Sequence, residues 1–131
     1  MKKCNKCNTI KELKEFHVNN KCKTRRAASC KSCMKEYNKM HNRLKLYGLT
    51  EEKSRELEQR ANGLCEICGR PQRHVSMGQV VSLCIDHNHS TGKVRGMLCN
   101  DCNKFIGMFG EDISLMDKVV TNTKIYLERH K

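Results

Sequence analysis

Eight of the ten cysteines in this 131-residue chain fall into four Cys-x-x-Cys pairs, and nothing else in it constrains the fold as strongly. A short Cys-x-x-Cys turn can aim two thiolates at one ion, and two such turns complete a tetrahedron. The pairs Cys4/Cys7 and Cys30/Cys33 lie 22 residues apart, within the looser range of zinc-ribbon spacings. A second quartet, Cys65/Cys68 and Cys99/Cys102, brackets the sequence Asp86-His87-Asn88-His89. Each quartet is expected to hold one structural zinc ion.

Such staples are needed here. Only 37% of the residues are apolar and Trp is absent, and a core that thin is usually completed by disulfides or metals. Met1-Lys2-Lys3 leads straight into Cys4 with no apolar run behind it, so no secretory leader is expected. No stretch approaches the roughly 20 apolar residues that cross a bilayer. A reducing, cytoplasmic setting is the expectation, and there clustered cysteines favour zinc over disulfides. Cys22 is left over as a free thiol, and Cys84 reads as a small buried hydrophobe.

The net charge of +12 is unevenly spread. Residues 1–48 carry 14 Lys and Arg against 3 Glu, whereas residues 49–131 carry 12 against 11 acids. Two four-thiolate zinc sites would leave about +8. A basic front half on a near-neutral back half suggests an electrostatic arm for nucleic acid.

Along the chain, Phe16 and Val18 are expected to cover the first quartet. Met34 to Tyr47 reads as a helix, with Tyr37, Met40, Leu44 and Tyr47 as one packing stripe and Gly48 as its cap. Lys35, Lys39 and Arg43 lie mostly off that stripe and are candidate phosphate contacts. Thr50 should cap a second helix, with Glu51 and Glu52 in its first turn, ending near Asn62 and Gly63. Residues 70–79 read as a polar loop around Pro71, Val80 to Ile85 as a strand, Ser90 to Lys93 as a turn and Val94 to Leu98 as a second strand. A helix should start near Cys99 or Asn100 and run to about Met108, with Gly107 and Gly110 as breaks. Asp112 should cap a last helix whose face of Leu115, Met116, Val119, Val120, Thr123, Tyr126 and Leu127 packs as core or against a second copy. The expected domains are 1–33, a four-cysteine zinc module; 34–48, a basic linker helix; and 49–131, a catalytic domain. The fold class is α+β.

Strand, turn, strand, helix, with Asp-His at the end of the first strand and Asn on the helix, is the layout of a ββα-metal nuclease site. A phosphodiester is anionic and repels hydroxide, so a hard cation is needed to neutralise the scissile phosphate and the leaving oxygen. Magnesium or manganese prefers oxygen ligands and keeps several waters. Asp86 and Asn103 can each supply one oxygen. An imidazole changes charge near working pH and can take a proton from the attacking water. His87 is the candidate base. His89 could bind phosphate, assist the metal's water shell or hold the loop. The histidines could instead ligate zinc, but four cysteines already complete that shell. Lys93 and Arg95 sit on the hairpin and could clamp backbone phosphates.

The stretch resembles the recombination endonuclease VII family of bacteriophages, within the HNH or ββα-metal superfamily. The residues that carry the resemblance are Cys65-x-x-Cys68-Gly69, Asp86-His87-Asn88-His89, Thr91-Gly92-Lys93-Val94-Arg95-Gly96, Leu98-Cys99 and Cys102-Asn103, with a similar Tyr47-Gly48-Leu49-Thr50 approach. The resemblance implies a zinc on Cys65, Cys68, Cys99 and Cys102, a magnesium on Asp86 and Asn103, and His87 as general base. It implies DNA as substrate, duplex or branched, with four-way junction resolvases and simpler nickases both in the family, and a homodimer. The chain departs from the family in its cysteine-rich front module, in its shortness after the catalytic helix, and in carrying Ile106 one turn beyond Asn103, where an acid would be a convenient extra ligand. The expected function is a metal-dependent DNA endonuclease. A non-catalytic double-zinc DNA-binding module is the alternative, and it predicts no magnesium-dependent nicking.

Overall fold

The chain resolves into two compact units, Met1–Arg55 and Glu56–Lys131. A computed structural model describes all of residues 1–131.

In the first unit β1 (Lys2–Lys3) pairs antiparallel with β2 (Ile10–Lys11). Between them the Cys4–Cys7 turn is closed by the Asn8 N–H donating to the Cys4 carbonyl at 2.9 Å, with Asn8 in the left-handed region at φ 57. Phe16 is fully buried against Cys4 and Cys30. Val18, expected beside it, is exposed instead: it sits in an isolated bridge with Arg26 on the outer face.

α1 spans Lys31–Tyr47 and starts three residues before the expected Met34. The reason is that Cys30 stays extended as the N-cap, which puts Cys33 in the first turn. Gly48 ends the helix as expected, at φ 63, donating to Leu44 O. The apolar stripe is only partly covered: Tyr37 and Leu44 are exposed, and Met40 and Tyr47 half-buried. The residue that α1 buries is Arg43, whose guanidinium donates to Ser54 Oγ at 2.5 Å. α2 covers Glu51–Ala61, and Thr50 Oγ1 accepts from the Lys53 N–H at its start.

In the second unit the expected 70–79 loop contains a small hairpin, β3 (Val75–Ser76) with β4 (Gln79–Val80), turned by Met77 and Gly78, both at positive φ. The run Val80–Ile85 is therefore not one strand. Its first residue closes that hairpin, and β5 begins only at Cys84 and continues through His87. β5 pairs antiparallel with β6 (Val94–Leu98), and α3 (Asn100–Met108) packs against both strands. Cys65, Leu98 and Cys99 form the core, joined by Cys68, Leu83, Cys102 and Ile106. Ile106 thus packs inward on the staple, which accounts for an apolar residue at that position.

α4 (Ile113–Arg129) is capped by Asp112, whose Oδ1 accepts from the Leu115 N–H at 2.9 Å. Its apolar face does not pack as core. None of its residues is buried, and Leu115, Val120, Tyr126 and Leu127 are exposed. No helix is long and apolar enough to cross a membrane.

Candidate functional site

The four sulfurs of each quartet come within 4.8 Å of one another. Tetrahedral zinc with Zn–S near 2.3 Å requires sulfurs about 3.8 Å apart. The Cys4–Cys33 and Cys7–Cys30 separations are 4.0 Å and Cys68–Cys99 is 3.8 Å, so both quartets fit that ion. The backbone prepares them. The Cys30 and Lys6 N–H groups donate to Cys4 Sγ, and the Cys102 N–H donates to Cys99 Sγ at 3.5 Å.

Their acidities follow from the same contacts. The Ser32 hydroxyl holds the Cys30 thiol down to about 5, and Arg70 holds Cys68 at about 6. Cys33 is pushed up to about 12 by its neighbour Cys30, and Cys102 is pushed up by burial and then by Cys99. In the first quartet Cys4 and Cys30 are held down while Cys33 is pushed up, and in the second Cys65 and Cys68 are held down while Cys102 is pushed up.

Sequence reasoning singled out the cysteines but not their cationic neighbours. Lys11 donates to Ser32 Oγ at 3.3 Å beside Cys30, whose charge raises its pKa, and Arg70 stands beside Cys68. The two remaining cysteines are half-buried, and burial pushes the Cys84 thiol up.

Between the cysteines of the second quartet, the hairpin carries the remaining candidates. Asp86 lies on β5 opposite Gly96, and His87 lies opposite Val94. This register skips Arg95, which is a bulge residue. The Asp86 side chain is 9% exposed and receives a two-pronged bond from Arg95, Nε to Oδ2 at 2.7 Å and Nη2 to Oδ1 at 2.9 Å. The His87 and His89 rings lie 4.9 Å apart, the first half-buried and the second exposed. Asn88 builds the loop: its Oδ1 accepts from the Ser90 and Thr91 N–H groups. Asn103 stands in the first turn of α3, half-buried, with its N–H on Cys99 O at 3.0 Å. The candidate oxygen donors, one carboxylate and one amide, thus sit on a strand and a helix that pack together, and both are hard ligands suited to magnesium or manganese.

The candidate DNA contacts divide. Lys93 is exposed at the hairpin turn, Lys35 is exposed on α1 and Lys39 is half-buried there. Arg43 is buried and donates to Ser54 Oγ, and Arg95 donates to the carboxylates of Asp86 and Glu111.

Three supporting residues had no signal in the sequence. Glu111 Oε1 accepts from Arg95 Nη2 at 3.1 Å and from the His89 N–H at 3.5 Å. Glu66 Oε1 accepts from the Met97 N–H at 3.0 Å and its carboxylate pairs with Arg60, while its atoms come within 2.8 Å of where a Gly96 side chain would begin. Gln72 Oε1 accepts from the N–H groups of Arg73, His74 and Asn100, which ties the loop to the start of α3. An apolar groove of about 390 Å³, lined by Ala61, Pro71, Val80, Leu83 and Met97 among others, includes none of Asp86, His87, His89 or Asn103.

The sequence model of a family described as recombination endonuclease VII matches residues 40–128, well over half of the chain. The Gene 59 protein of Mycobacterium phage D29 is 36% identical over 78 residues, 59% of this chain and 44% of that protein. The Gene 59 protein of Mycobacterium phage L5 is 39% identical over 62 residues, 47% of this chain and 35% of that protein. The matched segments span less than half the length of these curated relatives. Among solved structures, the crystal structure of the beta-beta-alpha-Me type II restriction endonuclease Hpy99I is similar at 26% identity, covering 95% of this chain and 65% of that chain with a TM-score of 0.40.

Proposed function

The chain belongs to the recombination endonuclease VII family, and from that premise we propose that it is a metal-dependent endonuclease hydrolysing phosphodiester bonds in duplex or branched DNA. The observation that supports this most is the stapled hairpin and helix, with Asp86 and His87 adjacent on β5 and Asn103 in the first turn of α3.

Each cysteine quartet holds a zinc ion in this proposal, and Asp86 and Asn103 hold one magnesium or manganese. A divalent ion there neutralises charge on the scissile phosphate and on the leaving oxygen. His87 takes a proton from the attacking water, as an imidazole can near neutral pH. His87 is presented from the end of β5, and Asn88 closes the loop that follows by accepting from the Ser90 and Thr91 N–H groups. His89, 4.9 Å from His87 between ring centres, is close enough to steer that ring or to meet a phosphate oxygen. Lys93 contacts the DNA backbone near the hairpin. Lys35 and Lys39 on α1 add backbone contacts from the basic front unit.

Relaxation of supercoiled plasmid tests the proposal. The zinc-loaded protein should nick DNA with magnesium and not without it. His87→Ala should lower nicking by roughly 10²- to 10⁴-fold, the usual share of a general base, while plasmid affinity stays near wild type. Full activity in His87→Ala across the pH range would reassign the base, with His89 next in line. DNA binding without any nicking would mark a non-catalytic double-zinc module.

A further inference from the structure

We propose that Arg95 and Glu111 are positioning residues that fix the orientation in which the Asp86 carboxylate meets a divalent cation. This rests on the assignment of Asp86 as a metal ligand.

The geometry begins with the bulge. In an unbroken antiparallel ladder Arg95 would point to the face opposite Gly96, and hence away from its partner Asp86. The register jumps from Asp86↔Gly96 to His87↔Val94 and leaves Arg95 without a partner residue. Bulges of this kind re-aim a side chain, and here the guanidinium ends as a fork on both oxygens of Asp86, at 2.7 and 2.9 Å. A two-pronged arginine bond to a carboxylate nine-tenths buried fixes both the position and the plane of that carboxylate.

Arg95 is itself held from two further sides. Its carbonyl accepts from Arg60 Nη2 at 2.7 Å, and its own Nη2 reaches Glu111 at 3.1 Å. Glu111 sits at φ 65, a left-handed conformation that a glutamate rarely adopts and that costs on the order of 1 kcal/mol. That conformation occurs where the chain turns between α3 and α4, and the carboxylate there serves both Arg95 and the His89 N–H. One acid thereby ties the orientation of Asp86 to the loop bearing the histidines.

Charge argues against a phosphate clamp. Two carboxylates around one guanidinium leave a net negative cluster, which does not attract DNA but does attract a cation. Ligating carboxylates are commonly oriented by such outer partners, whose loss costs roughly 10- to 100-fold in metal affinity or activity.

The test is manganese binding to the full-length, zinc-loaded protein without DNA, read by electron paramagnetic resonance at about 0.3 M salt, where long-range charge effects are screened. Arg95→Lys keeps the charge and removes the fork. Glu111→Gln keeps the shape and removes the second acid. Both should bind manganese roughly 10-fold or more weakly, with zinc content, melting temperature and plasmid affinity unchanged. Unchanged manganese affinity with weaker plasmid binding in Arg95→Lys would make Arg95 a phosphate contact and overturn the positioning role. Tighter manganese binding would overturn it too, by making Arg95 a competitor of the ion. Loss of zinc or of folding in both variants would reduce the pair to scaffolding. Asp86→Asn separates the premise: if it binds manganese like wild type, Asp86 is not a ligand and the premise fails first.

Discussion

The two cysteine quartets are variations on one device. In each, a turn carries the first pair, and the residue after it is left-handed, Asn8 at φ 57 and Gly69 at φ 67. In each, the third cysteine is the extended N-cap of a helix and the fourth lies in its first turn. The difference lies between the pairs. The first quartet encloses 22 residues of short strands and turns around Phe16, and the second encloses 30 that include the β5–β6 hairpin with Asp86 and His87. The same staple starts a basic helix in one unit and the Asn103 helix in the other. Both quartets fix a helix start, and the two units differ in the chain looped between their cysteines.

The largest expected effects break that comparison at the staples. Cys99→Ser removes a ligand that also caps α3 and should leave the second unit unfolded, with nicking lost and zinc falling from two ions to one by elemental analysis. Cys30→Ser should also halve the zinc but retain nicking at high enzyme concentration, with DNA affinity as the main loss. Equal loss of nicking in both would dissolve the division of labour.

A smaller effect sharpens it. Lys31, Lys35 and Lys45 lie exposed along one side of α1. Replacing all three with Gln should flatten the slope of log affinity against log salt by up to roughly 2.7, at about 0.9 per phosphate contact. An unchanged slope would remove this helix from the DNA and leave the front unit free for a protein partner.

The smallest effect probes the paired left-handed positions. Gly69→Ala should cost about 1 kcal/mol in thermal unfolding, because only glycine adopts that backbone freely. Asn8→Gly should change stability by only a few tenths, since asparagine already tolerates it. A costly Asn8→Gly would mean that the Asn8 side chain matters beyond its backbone.

Much of this architecture was legible in the residues. Cysteine spacing, the Gly48 cap, the Asp112 cap and the strand Val94–Leu98 are local signals, and the structure follows them. The run from Val80 to Ile85 does not form one strand, because Val80 belongs to a separate hairpin turned at Met77 and Gly78, and its apolar, β-branched character does not show where that hairpin ends. Val18 is exposed rather than covering the first quartet, and the α4 face, which reads as core or as a contact with a second copy, is not core within this chain. The burial of Arg43 and its bond to Ser54 leave no trace in periodicity, which only places the residue off the apolar stripe. In the candidate site, Asp86, His87 and Asn103 are legible as chemistry at a spacing. Glu111 is not, because its contacts reach back 16 and 22 residues and depend on the bulge at Arg95.

That bulge gears two parts of the molecule together. The chain leaves α3 and enters α4 through consecutive left-handed residues, Gly110 and Glu111, and the next residue, Asp112, caps a rod of 17 residues, about 25 Å long at 1.5 Å per residue. The carboxylate at this pivot is the one that steadies Arg95. Swinging the rod by rotation at 110–111 would carry Glu111 off the guanidinium, so a load applied to the exposed apolar side of α4 would be felt as slack at Asp86.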